Sequence, residues 1–123
     1  MEDTLIVIFI AETDPEYVYQ ISSDVQKQFQ KHLGINYSTL KLSQKTTEMV
    51  FFTDTGLIEI ISPPGEFYPD MASLKQTLGD DMERVTWRSK QALDFSFLMM
   101  YAKDRGTFYV QLEDDVLTKK VRN

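Results

Sequence analysis

The sequence predicts one α/β domain, the opening half of a doubly wound parallel sheet with flanking helices. Three observations predict it. A continuously apolar, β-branched run, Leu5–Ile10 (LIVIFI), has the composition of a strand buried on both faces. Helical periodicity follows it almost at once. A second long helical stretch then leads into another strand-forming run, Thr107–Leu112 (TFYVQL). Strands that alternate with helices in this order build parallel sheets covered on both sides.

The first helix is signalled by Asp14, a capping residue, followed by Pro15 in the first turn, where proline's missing N–H costs nothing. Val18, Ile21, Val25 and Phe29 form one apolar stripe and carry the helix to about Lys31. The second main strand, Leu57–Ile61, is stopped by Ser62-Pro63-Pro64-Gly65. Residues 32–56 show no clear period and read as an irregular insertion with a short strand at Met49–Phe52. The stretch YPDMASLKQTLGDDMERV reads as a loop with one short helical turn. The second helix spans about Met82–Asp104 and stops before Gly106. Its half from Phe95 to Ala102 is apolar almost all round, which predicts packing on several sides, with Trp87, Phe97 and Met99 in the core. Thr107–Leu112 is then the third strand, with Glu113, Asp114 and Asp115 at its C-terminal tip.

Composition narrows the chemistry. The chain has 123 residues, 42% of them hydrophobic and 26% charged, enough for one packed core. A net charge of −6 argues against nucleic acid or an anionic membrane surface as partner. The longest apolar runs, LIVIFI and FLMMYA, are too short to span a bilayer, and no signal peptide opens the chain. Without cysteine there are no disulfides, thiol nucleophiles or Cys-based zinc sites. His32 is the only histidine, reads as a solvated residue past a helix end, and lacks a nearby nucleophile. Any metal held here is a hard ion with oxygen ligands, such as Mn²⁺ or Mg²⁺.

Three adjacent acids repel one another unless something positive offsets them. A metal ion, a basic partner and plain solvation all qualify, and taken alone such a triplet is more often a solvated cap than a site. Its position beyond a strand's carboxyl end matches where open parallel sheets bind ligands, and so does AETD after the first strand. Acids, a divalent ion and a nucleotide diphosphate make a consistent set, because the metal bridges carboxylate and phosphate oxygens. On the second helix Arg84, Arg88 and Gln91 share one face, and Lys90 and Asp94 form an i, i+4 pair on another. These side chains read either as a solvated face or as cations near a diphosphate. A phospho-acceptor receiver domain is set aside, because it needs acids at the first strand's end, where Ala11-Glu12-Thr13 stands.

The stretch ERVTWRSKQALDFSFLMMYAKDRGTFYVQLEDDV, residues 83–116, closely resembles the N-acetylglucosaminyltransferase IV family. VIFIAETDPEYV and LIEIISPPGEFYPDMASLKQTLGD resemble the same family's opening strand-helix and second strand-loop, whereas residues 32–55 resemble nothing in it. The resemblance implies a Rossmann-like fold, with residues 1–123 a single partial domain, the N-terminal nucleotide-binding half of a GT-A glycosyltransferase domain. It implies UDP-N-acetylglucosamine as donor, Mn²⁺ (or Mg²⁺) as cofactor, and inverting transfer to a mannose of an N-glycan in the Golgi. Asp115 is then the direct metal ligand, Asp114 reaches metal-bound water or the sugar, and Glu113 orients the loop. Ala11, Glu12 and Thr13 match the region that faces uracil, and Arg88 and Lys90 stand where they could meet the diphosphate. Tyr68 and Asp70 are candidates for the donor pocket, with loop packing as the competing account.

The family's catalytic domain continues past its acidic motif, so the general base is expected downstream of this chain, which alone should show no turnover. The alternative function is a catalytically inactive relative that binds or regulates other Golgi glycosyltransferases. Asn36-Tyr37-Ser38 is a glycosylation sequon, relevant only if the chain enters the secretory lumen.

Overall fold

The structure, a computed structural model, describes residues 4–33, 49–52, 58–117 and 119. In chain order it contains strand β1 (Ile6–Phe9), helix α1 (Pro15–Leu33), strands β2 (Met49–Phe52) and β3 (Ile58–Ser62), and helix α2 (Met82–Ala102). Two short 3₁₀ turns, Gly65–Phe67 and Met71–Ser73, occupy the loop between β3 and α2. The strands make one sheet in the order β1-β3-β2. β1 runs parallel to β3, with Ile6 opposite Ile58 and Phe9 opposite Ile61, and β2 runs antiparallel to it. The sheet is therefore mixed, where an all-parallel one is expected from the alternation of elements.

Strand β3 is central, and all five of its residues are buried. Its alternate side chains serve two cores. On one face Ile60 joins Ile10 of the chain after β1 and Val18 of α1, with Ile8, Ile21 and Val25 packed around them. On the other face Ile61 meets Phe97 of α2, flanked by Val7, Phe9 and Phe67. Helices thus cover both faces of the sheet, which explains why Leu5–Ile10 is apolar without alternation and why Glu59 alone interrupts the apolar run of Ile58–Ile61. Of the stripe expected on α1, Val18, Ile21 and Val25 pack in this core while Phe29 is half-buried, and the strand at Met49–Phe52 is present.

The caps follow the sequence. Asp14 accepts the Glu16 amide through Oδ1 at 3.0 Å and opens α1. Asp81 accepts the Arg84 amide at 2.8 Å and opens α2. Asp81→Ala leaves that first-turn donor without its partner, and is expected to cost about 1 kcal/mol. Urea unfolding should show the lower midpoint, with Asp81→Asn close to the native chain.

Three expectations are corrected. Thr107–Leu112 forms no strand: it carries the composition of one, but no described neighbour offers it a ladder. Phe108, Val110 and Leu112 are exposed instead. The end of α2 is not buried all round, because only Phe97 is enclosed while Trp87, Met99 and Met100 face solvent. His32 lies in the last turn of α1, exposed, and not beyond the helix. Residues 34–48 and 53–57, which hold most of the expected insertion, Asn36 and the start of the second strand at Leu57, lie outside the described residues.

Candidate functional site

The carboxyl ends of the two parallel strands mark the rim where an α/β sheet offers a ligand its crevice. Ala11–Thr13 leaves β1 at this rim, and the loop after β3 brings Tyr68 to it. Helix α2 crosses the sheet so that its first half reaches the same edge, whereas its last turn lies near Glu59 at the start of β3.

Lys90 is the hub of the rim. Its ammonium donates to the Ala11 carbonyl at 2.9 Å and to Asp94 Oδ2 at 2.9 Å. It also lies 5.1 Å from the centre of the Tyr68 ring, within range of a cation–π contact. The Tyr68 hydroxyl donates to Asp94 Oδ1, so one carboxylate ties the loop after β3 to the helix and to the lysine. Burial pushes the Tyr68 phenol well above its ordinary pKa, the hydrogen bond to Asp94 adds to this, and the charges of Asp94 and Glu12 contribute further.

Arg88 has a different role. It pairs with Asp80 and donates to Thr77 Oγ1 at 2.9 Å, fastening the turn that precedes α2. In that turn Leu78 and Gly79 both take positive φ, 58° and 74°. Such a turn strains Leu78 by roughly 1–2 kcal/mol, and it delivers Asp80 to Arg88 and Asp81 to the helix cap. Neither Arg88 nor Lys90 is thus an uncommitted cation, and Arg84 lies 5.5 Å over the Trp87 ring. Asp70 caps the second 3₁₀ turn by accepting from Ala72 N, which is loop packing, while Tyr68 belongs to the rim.

Glu113, Asp114 and Asp115 are exposed and form a turn closed by the Val116 amide on the Glu113 carbonyl at 3.3 Å. They do not extend a strand, which corrects the placement expected for them. Among the described residues no cation pairs with them, and no three His, Cys, Asp or Glu side chains converge on one point. As donors they suit a hard divalent ion, since such ions take one or two carboxylates and draw their other oxygens from phosphate and water.

Sequence reasoning missed a second polar cluster, at the opposite end of the sheet. Glu59, the second residue of the central strand and 3% exposed, accepts from Tyr101 Oη and from Arg105, each at 2.6 Å. Burial and the hydrogen bond to Glu59 push the Tyr101 phenol up to about 12, although the Arg105 guanidinium pulls the other way. The signal was present: a lone Glu inside LIEIIS has to be partnered if it is buried.

An α/β layer whose strand-end loops gather at one rim defines a class of ligand-binding domains, and comparison with known proteins narrows it. A family model described as the MGAT4 conserved region matches residues 1–121, a span that includes residues 32–55, expected to have no counterpart. The chain is 45% identical over 118 residues to alpha-1,3-mannosyl-glycoprotein 4-beta-N-acetylglucosaminyltransferase A of Bos taurus, covering 96% of this chain and 18% of that protein. The B enzyme of Mus musculus is 42% identical over the same shares. The chain belongs to the N-acetylglucosaminyltransferase IV family, and it spans about a fifth of the length of the curated relatives it matches. No solved structure matches it, and no described helix is long and apolar enough to cross a membrane.

Proposed function

We propose that this chain is the donor-binding part of a Golgi glycosyltransferase that moves N-acetylglucosamine from UDP-N-acetylglucosamine to a mannose of an N-glycan, with inversion. The observation that carries the reading is the similarity to 4-beta-N-acetylglucosaminyltransferases across 96% of the chain. The rim supports it, because Ala11–Thr13 and the loop after β3 meet there around Lys90. Ala11, Glu12 and Thr13 take the uridine, and Lys90 lies beside them. Asp115 is the first-choice ligand for Mn²⁺ or Mg²⁺, with Asp114 towards bound water or the sugar and Glu113 shaping the turn. The ion, when bound, offsets the negative charge on the departing diphosphate. The general base and the acceptor site belong to other parts of the full-length protein.

Calorimetry with UDP, with and without Mn²⁺, tests the reading on the native chain and on Asp115→Ala. Mn²⁺-dependent heat in the native chain and its loss in Asp115→Ala is the expected result. Equal weak heats in all four titrations would remove the metal site.

Exposed apolar side chains favour a second reading, a non-catalytic relative that binds other Golgi glycosyltransferases. Phe108, Val110, Leu112 and Leu117 are 91%, 78%, 73% and 95% exposed within one short stretch of chain, the kind of side chain that a partner's surface covers. Co-precipitation with a full-length family member, absent for a scrambled control, supports this reading. A soluble monomer that unfolds cooperatively counts against it.

A further inference from the structure

We infer that Tyr68, Asp94 and Lys90 form a positioning chain that fixes the Ala11–Thr13 turn at the rim before any ligand arrives. The part of this inference that concerns a nucleotide rests on the donor-binding reading; the latch itself does not.

The backbone after β1 is held at both ends. The Ile10 amide still bonds the Ile61 carbonyl at 2.8 Å, and the Asp14 carbonyl accepts from Val18 at the start of α1. Between these anchors, Lys90 grips the chain at the Ala11 carbonyl, across 79 positions of sequence. A lysine side chain is flexible, and holding it in one geometry costs up to about 2 kcal/mol of rotamer entropy. The surroundings of Lys90 offset that cost. Its ammonium rests against the Tyr68 ring and is paired with Asp94, whose side chain is only 13% exposed. Asp94 in turn is oriented by the Tyr68 hydroxyl.

Three segments that are distant in sequence thereby share one latch: the chain just after β1, the loop after β3 and the middle of α2. Two of the three ammonium N–H groups are used inside the latch, and Asp94 offsets the charge. Such a lysine is suited to holding backbone in place more than to seeking phosphate. A turn held in advance lowers the ordering cost that a ligand meets on binding. Lys90, Asp94 and Tyr68 are accordingly positioning residues, acting through the Ala11 carbonyl.

Hydrogen exchange on the free protein tests the latch without any ligand. In Lys90→Met the Ile10 and Glu16 amides, which flank the segment and bond the Ile61 carbonyl and Asp14 Oδ1, should exchange about tenfold faster, while β3 and the rest of α2 keep native protection. Lys90→Arg, which retains a donor, should restore slow exchange. In Mn²⁺, calorimetry should then show uridine and UDP both weakened about tenfold in Lys90→Met, because a loosened turn handicaps whatever binds on it.

Unchanged exchange at Ile10 and Glu16 would overturn the latch. Loss of UDP affinity with uridine affinity intact would overturn the positioning role by making Lys90 a direct phosphate contact. Faster exchange in Lys90→Met, together with no nucleotide binding even by the native chain, would support the latch and overturn the donor-binding reading. Should Lys90→Met fail to fold, Asp94→Asn keeps an acceptor for Tyr68 while removing the charge that orients Lys90, and the same pattern is expected of it.

Discussion

Phe97→Ala is expected to destabilise the chain by about 3–5 kcal/mol, the range for emptying an aromatic core site. Phe97 is 5% exposed and is the one fully enclosed aromatic of α2. Its ring lies 5.7 Å from Phe9 of β1 and 4.9 Å from Phe67 of the first 3₁₀ turn, edge-on to the latter. The same side chain touches Ile61 of the central strand, so one residue joins helix, sheet and loop. Truncation removes the apolar transfer energy and leaves a cavity between elements that cannot readily close on it, because β1 and β3 are held by their ladder. A domain of ordinary stability has roughly 5–15 kcal/mol to lose, so the variant should approach the point of unfolding at room temperature. Met100→Ala, whose side chain is 68% exposed, should fall within about 0.5 kcal/mol of native. Urea midpoints measured side by side check both. A Phe97→Ala midpoint as high as that of Met100→Ala would mean that α2 is not packed on the sheet by this ring.

The contrast between those two neighbours shows what was legible in the sequence. FSFLMMYA gives the composition of a buried helix face but not which side meets the sheet. That is decided by Phe9, Phe67 and Ile61, whose positions depend on tertiary packing. Local signals fared better: Asp14-Pro15 and Ser62-Pro63-Pro64-Gly65 bound their elements as expected, since capping and turn chemistry act over a few residues. Thr107–Leu112 has strand propensity but no described partner, and propensity alone does not make a ladder. At the rim, the Lys90–Asp94 pair was legible from its spacing, whereas its grip on Ala11 needed the folded chain. Arg88 is placed on a helix face by its spacing, whereas its pairing with Asp80, eight residues back across a left-handed turn, needed the folded chain.

Arg105→Met should be the second most damaging single change, because it removes a cation from a buried acid while keeping most of the side chain's apolar contact. Breaking a buried pair by deleting one partner costs about 3–5 kcal/mol when the remaining charge is fully enclosed. Arg105 is itself 35% exposed and Tyr101 still donates to Glu59, so a loss of roughly 2–3 kcal/mol is expected. Glu59→Gln in the Arg105→Met background removes the stranded charge and should recover part of the loss, a non-additivity that distinguishes charge burial from lost packing. The Tyr101 phenol supplies a pH signature of the same cluster. Its folded pKa of about 12 lies above the ordinary 10.0, so the folded chain holds this proton more tightly than the unfolded one. The associated stability is fully present below pH 10 and is lost as pH rises through about 12. Tyr101→Phe should therefore flatten the alkaline fall in unfolding free energy between those values. An identical alkaline slope in native and Tyr101→Phe chains, with Arg105→Met as stable as native, would show that Glu59 finds its compensation elsewhere.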